Sequence, residues 1–179
     1  MPVRTYRIPA GSFAALGGGP FANAEISVFD LASQPAADLL AAAADVADGF
    51  PALAARGLAA DLRGRRDRAV RAWAAVRGDG SFAGLISLAA VMTPTRNRRY
   101  SIPWIVVDRR ARRQGVGIGL VRHALEAATR EGAMSVTVET LARWRSATSF
   151  WDAVARATGG SRCRIDAPGS AKPFLEPEA

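Results

Sequence analysis

The chain has 179 residues, nearly half of them hydrophobic, enough for one domain with a buried core. Its formal charge of +8 comes almost wholly from arginine, Lys172 being the one lysine, and it favours anionic partners: nucleic acid, an acidic membrane surface or a phosphorylated cofactor. Cys163 is the single cysteine, which excludes an intrachain disulfide and a cysteine-rich metal site and fits a reducing cytoplasm, and no stretch approaches the ~18 apolar residues of a membrane-spanning helix.

Residues 1–20 alternate only loosely and end in a Gly-rich turn before Pro20, so they read as an N-terminal arm ahead of a core over 24–165, with a tail over 166–179. They lack the basic segment and unbroken apolar run of a secretory signal. Residues 24–29 form a first strand. Pro35 then opens an alanine-rich helix to about Val46, and a second helix covers about 52–62. Runs 70–76 and 82–92 are strands joined by Arg77-Gly78-Asp79-Gly80, whose Asp-Gly pair signals a hairpin of antiparallel neighbours.

After a polar turn, residues 100–107 form another strand, apolar at nearly every position from Ile102 as in a strand buried on both faces. Pro103 removes a ladder donor and marks a bulge or a place where pairing is interrupted. An amphipathic helix follows over 116–130, with Leu120, Val121, Ala124, Leu125 and Ala128 on one face and Gly132 ending it. Residues 135–140 form a strand, Ser146 caps a helix that runs to about Thr158 and stops at Gly159-Gly160, and a short strand lies over 161–165. The result is a mixed α/β domain with no internal repeat.

The chemistry concentrates between Tyr100 and Arg130, where a strand, an arginine-rich turn, closely spaced glycines and a helix succeed one another. A helix start offers unpaired N–H groups and a partial positive charge, glycines let an anion approach closely, and Arg112 and Arg113 add charge for a pyrophosphate. A nucleoside-triphosphatase loop needs Gly-Lys-Ser/Thr, and this loop has no lysine. A dinucleotide fingerprint wants its third glycine where Leu120 stands and a strand running straight into its first; here residues 108–114 intervene.

The run from Val107 to Ile118, with Arg112-Arg113-Gln114-Gly115-Val116-Gly117 at its centre, resembles the acyl-CoA motif Arg/Gln-x-x-Gly-x-Gly/Ala of the GCN5-related N-acetyltransferase (GNAT) superfamily. The order of elements over roughly 24–165 is similar as well. This resemblance implies a mostly antiparallel mixed sheet flanked by helices, with two neighbouring strands that splay apart. It implies acetyl-CoA or another acyl-CoA as co-substrate, no metal, and acyl transfer to a primary amine. It implies too that backbone groups of Ile105 and Val107 pair with pantetheine and that amides of Gln114, Gly115, Val116, Gly117 and Ile118 hold the pyrophosphate.

Superfamily members often carry a tyrosine acid in a pattern resembling Asn-x-x-Ala-x-x-Phe-Tyr. Aligning Ala147 and Phe150 puts Trp144 at the asparagine and Trp151 at the tyrosine, and an indole lacks the acidity of a phenol. Thiolate departure then falls to water, Ser146, Tyr6 or Tyr100. For the base, Ser101 stands near the usual position and could order a water, while Glu139, near the end of the next strand, is the preferred candidate beside its alternative as a surface ion-pair partner. His123 reads as a partly exposed helix residue and Asp108 as an ion-pair partner of the arginines around it. Asp38, Asp45, Asp48 and Asp61 could attract a cationic amine or simply face solvent. The expected partner is an amine acceptor, with no membrane and with nucleic acid disfavoured; a homodimer is left open. The alternatives are a non-catalytic acyl-CoA sensor, suggested by Trp151 and Ser101, and a basic nucleic-acid-binding module resting on charge alone.

Overall fold

The computed structural model describes residues 2–17, 26–31, 68–93 and 98–163. The helices expected over about 35–46 and 52–62, the four aspartates between 38 and 61, and the tail from 166 lie outside these residues. The described strands are β1 (Val3–Pro9), β2 (Ile26–Asp30), β3 (Arg68–Arg77), β4 (Phe82–Met92), β5 (Arg98–Ile102), β6 (Ile105–Val107), β7 (Ser135–Leu141) and β8 (Ser161–Cys163). Helices α1 (Val116–Arg130) and α2 (Arg145–Thr158) complete the frame, with a 3₁₀ segment over Ala10–Leu16. Together the strands make one mixed sheet in the order β2-β3-β4-β5-β7-β1-β8, antiparallel throughout except where β5 runs parallel to β7.

The β3–β4 hairpin forms as its turn chemistry dictates, with Gly80 at φ 81° and its N–H bonded to the Arg77 carbonyl. Above β4 lies α1, its Leu120, Val121, Ala124 and Leu125 fully buried. Gly84 of β4 permits this approach: a Cβ there would stand 3.0 Å from Leu120 Cδ1, 3.2 Å from Val116 Cγ1 and 2.9 Å from the Val106 carbonyl oxygen. The start of α1 is thereby pressed onto the sheet. Gly132 and Gly159 end the two helices with positive φ, as their positions require.

Three expectations are corrected. The described part of the expected arm, residues 2–17, is no arm, because β1 is threaded between β7 and β8 with Tyr6 and Ile8 fully buried. The alternation of Tyr6, Ile8 and Ala10 toward the core was masked in sequence by Arg4 and Arg7 on a strand whose partners lie more than 120 residues away. Ser146 does not cap α2: the helix starts one residue earlier, Trp144 is the boundary residue, and its carbonyl accepts from Thr148 N at 2.9 Å. The run 100–107 is two strands rather than one. Pro103 and Trp104 interrupt it, and the Trp104 carbonyl accepts from Ser87 N at 2.9 Å before pairing with β4 resumes at Ile105.

Candidate active site

That interruption opens the sheet. β5 pairs with β7 only as far as Ile102 opposite Val138, after which β6 continues along β4 alone. Beyond Val138 the edge of β7 toward β6 carries no strand among the described residues, so a gap separates β6 from Glu139, Thr140 and Leu141. Two bonds fix which way β6 faces: Asp108 N to the Ala83 carbonyl and Ser87 N to the Trp104 carbonyl, each 2.9 Å. With the antiparallel alternation, Val106 exchanges both its bonds with Leu85, while the N–H and C=O of Ile105 and Val107 point away from β4 into the gap. The side chains of Ile105 and Val107 are only half-buried, where the sequence suggested a strand enclosed on both faces. In this arrangement Arg112 Nε reaches the Val107 carbonyl at 3.3 Å.

From β6 the chain enters a short 3₁₀ turn over Arg109–Ala111, and this turn is anchored. Asp108 is buried, accepts from Arg110 N at 3.2 Å and pairs with Arg77 Nη2 at 2.6 Å. Burial pushes its carboxyl up, but the Arg77 guanidinium and the Arg110 N–H outweigh that and hold it below the usual carboxylate range. The sequence had pointed to the arginines that follow Asp108; the hairpin instead delivers Arg77, whose Nη1 also donates to the Phe82 carbonyl at 2.8 Å. Arg112, Arg113, Gln114 and Gly115 are exposed around the start of α1. Positive φ at Arg113 (62°) and Gly115 (83°) turns the chain sharply into the helix, a conformation that glycine adopts freely and arginine only at some cost. The first intrahelical bond runs from Gly119 N to the Gly115 carbonyl, which leaves the amides of Val116, Gly117 and Ile118 at the open end of the helix.

Gly117 has a further role that the sequence did not reveal. A Cβ there would lie 3.2 and 3.4 Å from Cε2 and Cζ of Phe150 and 3.5 Å from Val107 Cγ2. Its missing side chain therefore lets α2 close on α1 at the mouth of the gap. A substituent at 117 points at an aromatic ring rather than at an anion.

The catalytic candidates separate. Ser101 and Glu139 lie on one face of the sheet, Ser101 opposite Thr137 and Glu139 two residues further along β7, at the edge of the gap. The Glu139 side chain is exposed at its surface, and partial desolvation at the edge of the gap raises its carboxyl. Among the described residues it has no hydrogen-bond or ion-pair partner, so the surface ion pair considered from sequence does not form. Tyr100 is on the opposite face, buried, with its hydroxyl donating to the Glu131 carbonyl at 3.1 Å just beyond the far end of α1. The structure thus withdraws Tyr100 from the site, because the parity of the strand turns it to the core. Tyr6 is withdrawn too. Burial and its 2.9 Å bond to Asp152 Oδ1 raise the phenol, which makes it a poorer proton donor. Trp151 is 2% exposed and packs edge-on against Phe150, so it fills space next to the mouth. His123 leans edge-on against Trp73, away from the loop, where burial pushes its imidazole below the usual range.

A mixed sheet opened between two parallel strands, with an unbonded helix start at the mouth, is the arrangement that the GNAT resemblance implies. The profile of the acetyltransferase (GNAT) family matches residues 39–152, and the chain belongs to that family. No curated protein matches the chain. Solved structures share the fold at low identity. A tandem GNAT protein from the clavulanic acid biosynthesis pathway aligns at 18% identity and a TM-score of 0.65 over 89% of this chain and 50% of its own. A conserved protein of unknown function from Staphylococcus epidermidis aligns at 14% and 0.62, over 90% and 57%. An aminoglycoside acetyltransferase from an uncultured soil metagenomic sample, in complex with trehalose, aligns at 15% and 0.59, over 86% and 97%. The chain spans only about half the length of the first two. Among the described residues no helix is long and apolar enough to cross a membrane.

Proposed function

We propose that this protein is an acyl-CoA-dependent N-acyltransferase that moves an acetyl group from acetyl-CoA to a primary amine of a small molecule, peptide or protein in the cytoplasm. The observation that carries the proposal is the gap between β6 and β7, into which the backbone groups of Ile105 and Val107 turn. An extended amide-bearing arm such as pantetheine can hydrogen-bond there as an added strand would. The amides from Gln114 to Ile118 and the side chains of Arg112 and Arg113 suit the pyrophosphate, and Arg112 would exchange its bond to the Val107 carbonyl for that charge.

Bound acetyl-CoA supplies the activated carbonyl: the amine nitrogen bonds to it as the carbon–sulfur bond breaks, and the proton lost by the amine leaves the sulfur as a thiol. Glu139 stands where it can take a proton from an incoming ammonium ion, and its raised carboxyl suits a base. Ser101, on the same face, could order a water there. With Tyr6 and Tyr100 committed elsewhere, water or Ser146 in the first turn of α2 assists the departing thiolate.

Thermal unfolding with and without acetyl-CoA tests the cofactor. Ligand at ~100 times its dissociation constant stabilises by about 2.7 kcal/mol, and an unchanged midpoint refutes the reading. Arg112→Ala should weaken CoA more than dephosphorylated pantetheine. A second reading, a sensor that binds acyl-CoA without turnover, draws support from the buried Trp151 where relatives place a tyrosine. An assay of free thiol released over a panel of amines divides the two: no thiol release from a protein that binds acetyl-CoA would leave the sensor.

A further inference from the structure

Thr5 of β1 lies directly opposite Glu139 of β7. The bonds at the two ends of this ladder, Ala142 N to the Pro2 carbonyl and Ala10 N to the Met134 carbonyl, set its phase. Odd-numbered β1 positions therefore fall in non-hydrogen-bonded pairs, where facing side chains come closest. Thr5 is 5% exposed, and its Oγ1 is buried with no hydrogen-bond partner among the described residues. Its neighbour Glu139 also lacks one among the described residues. A buried hydroxyl without a partner costs stability, and here it stands beside a carboxylate able to accept its hydrogen bond. Thr5 lies outside the part of the chain that matches the family, on a strand that the sequence did not place in the core.

We infer that Thr5 is a positioning residue for Glu139: its hydroxyl donates to one carboxylate oxygen and leaves the other turned to the gap to receive the proton of the acceptor amine. The inference rests on the proposed acyl transfer, with Glu139 as base. No bond to the carboxylate is present in this structure; the inference requires the exposed Glu139 side chain to turn toward β1. A carboxylate fixed in this way keeps one oxygen at a constant place beside the thioester, whereas an untethered glutamate would spread over several rotamers. By strand parity, Arg7 of β1, Arg99 of β5 and Cys163 of β8 share the face, and Cys163 is the position opposite Thr5 on its other side. Neither arginine pairs directly across from Glu139.

The test is the titration of the Glu139 side-chain carboxyl, followed by ¹³C NMR in the full-length protein and in Thr5→Val and Thr5→Ser, each with and without saturating CoA. A donor to the ionised carboxylate lowers its titration midpoint, so Thr5→Val should raise the midpoint and Thr5→Ser should restore it. The acid limb of thiol release should move to higher pH in Thr5→Val alone. Above the Glu139 midpoint the donated bond stabilises the fold, so the loss of thermal stability in Thr5→Val should disappear as pH falls below that midpoint, whereas a position that only supports the fold would show a loss that does not depend on pH. Equal Glu139 midpoints in all three proteins, with and without CoA, would overturn the pairing. Failure of CoA to shift thermal unfolding would instead overturn the proposed function, and the NMR comparison in the free proteins would still decide the pair.

Discussion

Replacing Gly117 by alanine sets two effects of opposite sign against each other, and Phe150 decides which wins. In a helix, glycine to alanine is worth up to about 1 kcal/mol in favour of alanine. Here the new Cβ would meet the Phe150 ring at 3.2 Å and Val107 at 3.5 Å. Forcing a methyl group into packed surroundings costs about 1–3 kcal/mol. The net expectation is a loss of about 1 kcal/mol, which lowers Tm by roughly 2–4 °C in a chain of this length. In a Phe150→Ala background the clash is gone and the helix preference alone remains, so the same substitution should raise Tm. Circular dichroism melts of the four proteins form a double-mutant cycle, and the change of sign is the signal. If Gly117→Ala is stabilising in the parent, or equally destabilising in both backgrounds, then Phe150 does not limit the approach of α2 and Gly117 owes its place to something else.

Asp108→Asn should cost about 3 kcal/mol at neutral pH, since it leaves the Arg77 guanidinium against a neutral amide in a mostly buried pair. The folded carboxyl titrates below its unfolded value, so its contribution is complete above about pH 4–5 and is lost as pH falls further; urea melts from pH 7 to 3 should show the curves of the parent and of the Asp108→Asn variant converging. Glu139→Gln should leave acetyl-CoA affinity unchanged and slow thiol release by about 10²–10⁴, the usual worth of a general base; full activity would remove Glu139 from the mechanism. The Glu139 carboxyl is raised in the folded protein, so its ionisation disfavours folding as pH climbs from the unfolded toward the folded value, and the Glu139→Gln variant should lose that dependence in melts across this range. Trp151→Phe should lower stability by about 1–3 kcal/mol while acetyl-CoA affinity stays within a few fold; a collapse of turnover in a folded, ligand-binding variant would show that the indole takes part.

What the sequence determined by itself is local. The α1 period, the Asp-Gly turn between β3 and β4, and glycine stops such as Gly132 rest on dihedral preferences and spacings that neighbouring residues settle among themselves. The arginine-rich turn before Gly115 belongs with them, and so does the position of the helix start that can receive an anion. Pro103 announced a break in its strand for the same reason, because a missing N–H is a property of one residue. Only tertiary structure could decide where β6 goes after that break: it stays with β4 and leaves β7, and this choice makes the gap. The pairing of Asp108 with Arg77, the closure of Phe150 on Gly117, and the insertion of β1 that sets Thr5 against Glu139 are likewise tertiary. Each joins residues separated by 31 to 134 positions, by subtraction of their numbers. Strand parity then settled the fate of the tyrosines, turning Tyr6 and Tyr100 to the core while Ser101 and Glu139 share the other face. A pattern of alternation specifies two faces, and only the packed sheet assigns one of them to the site.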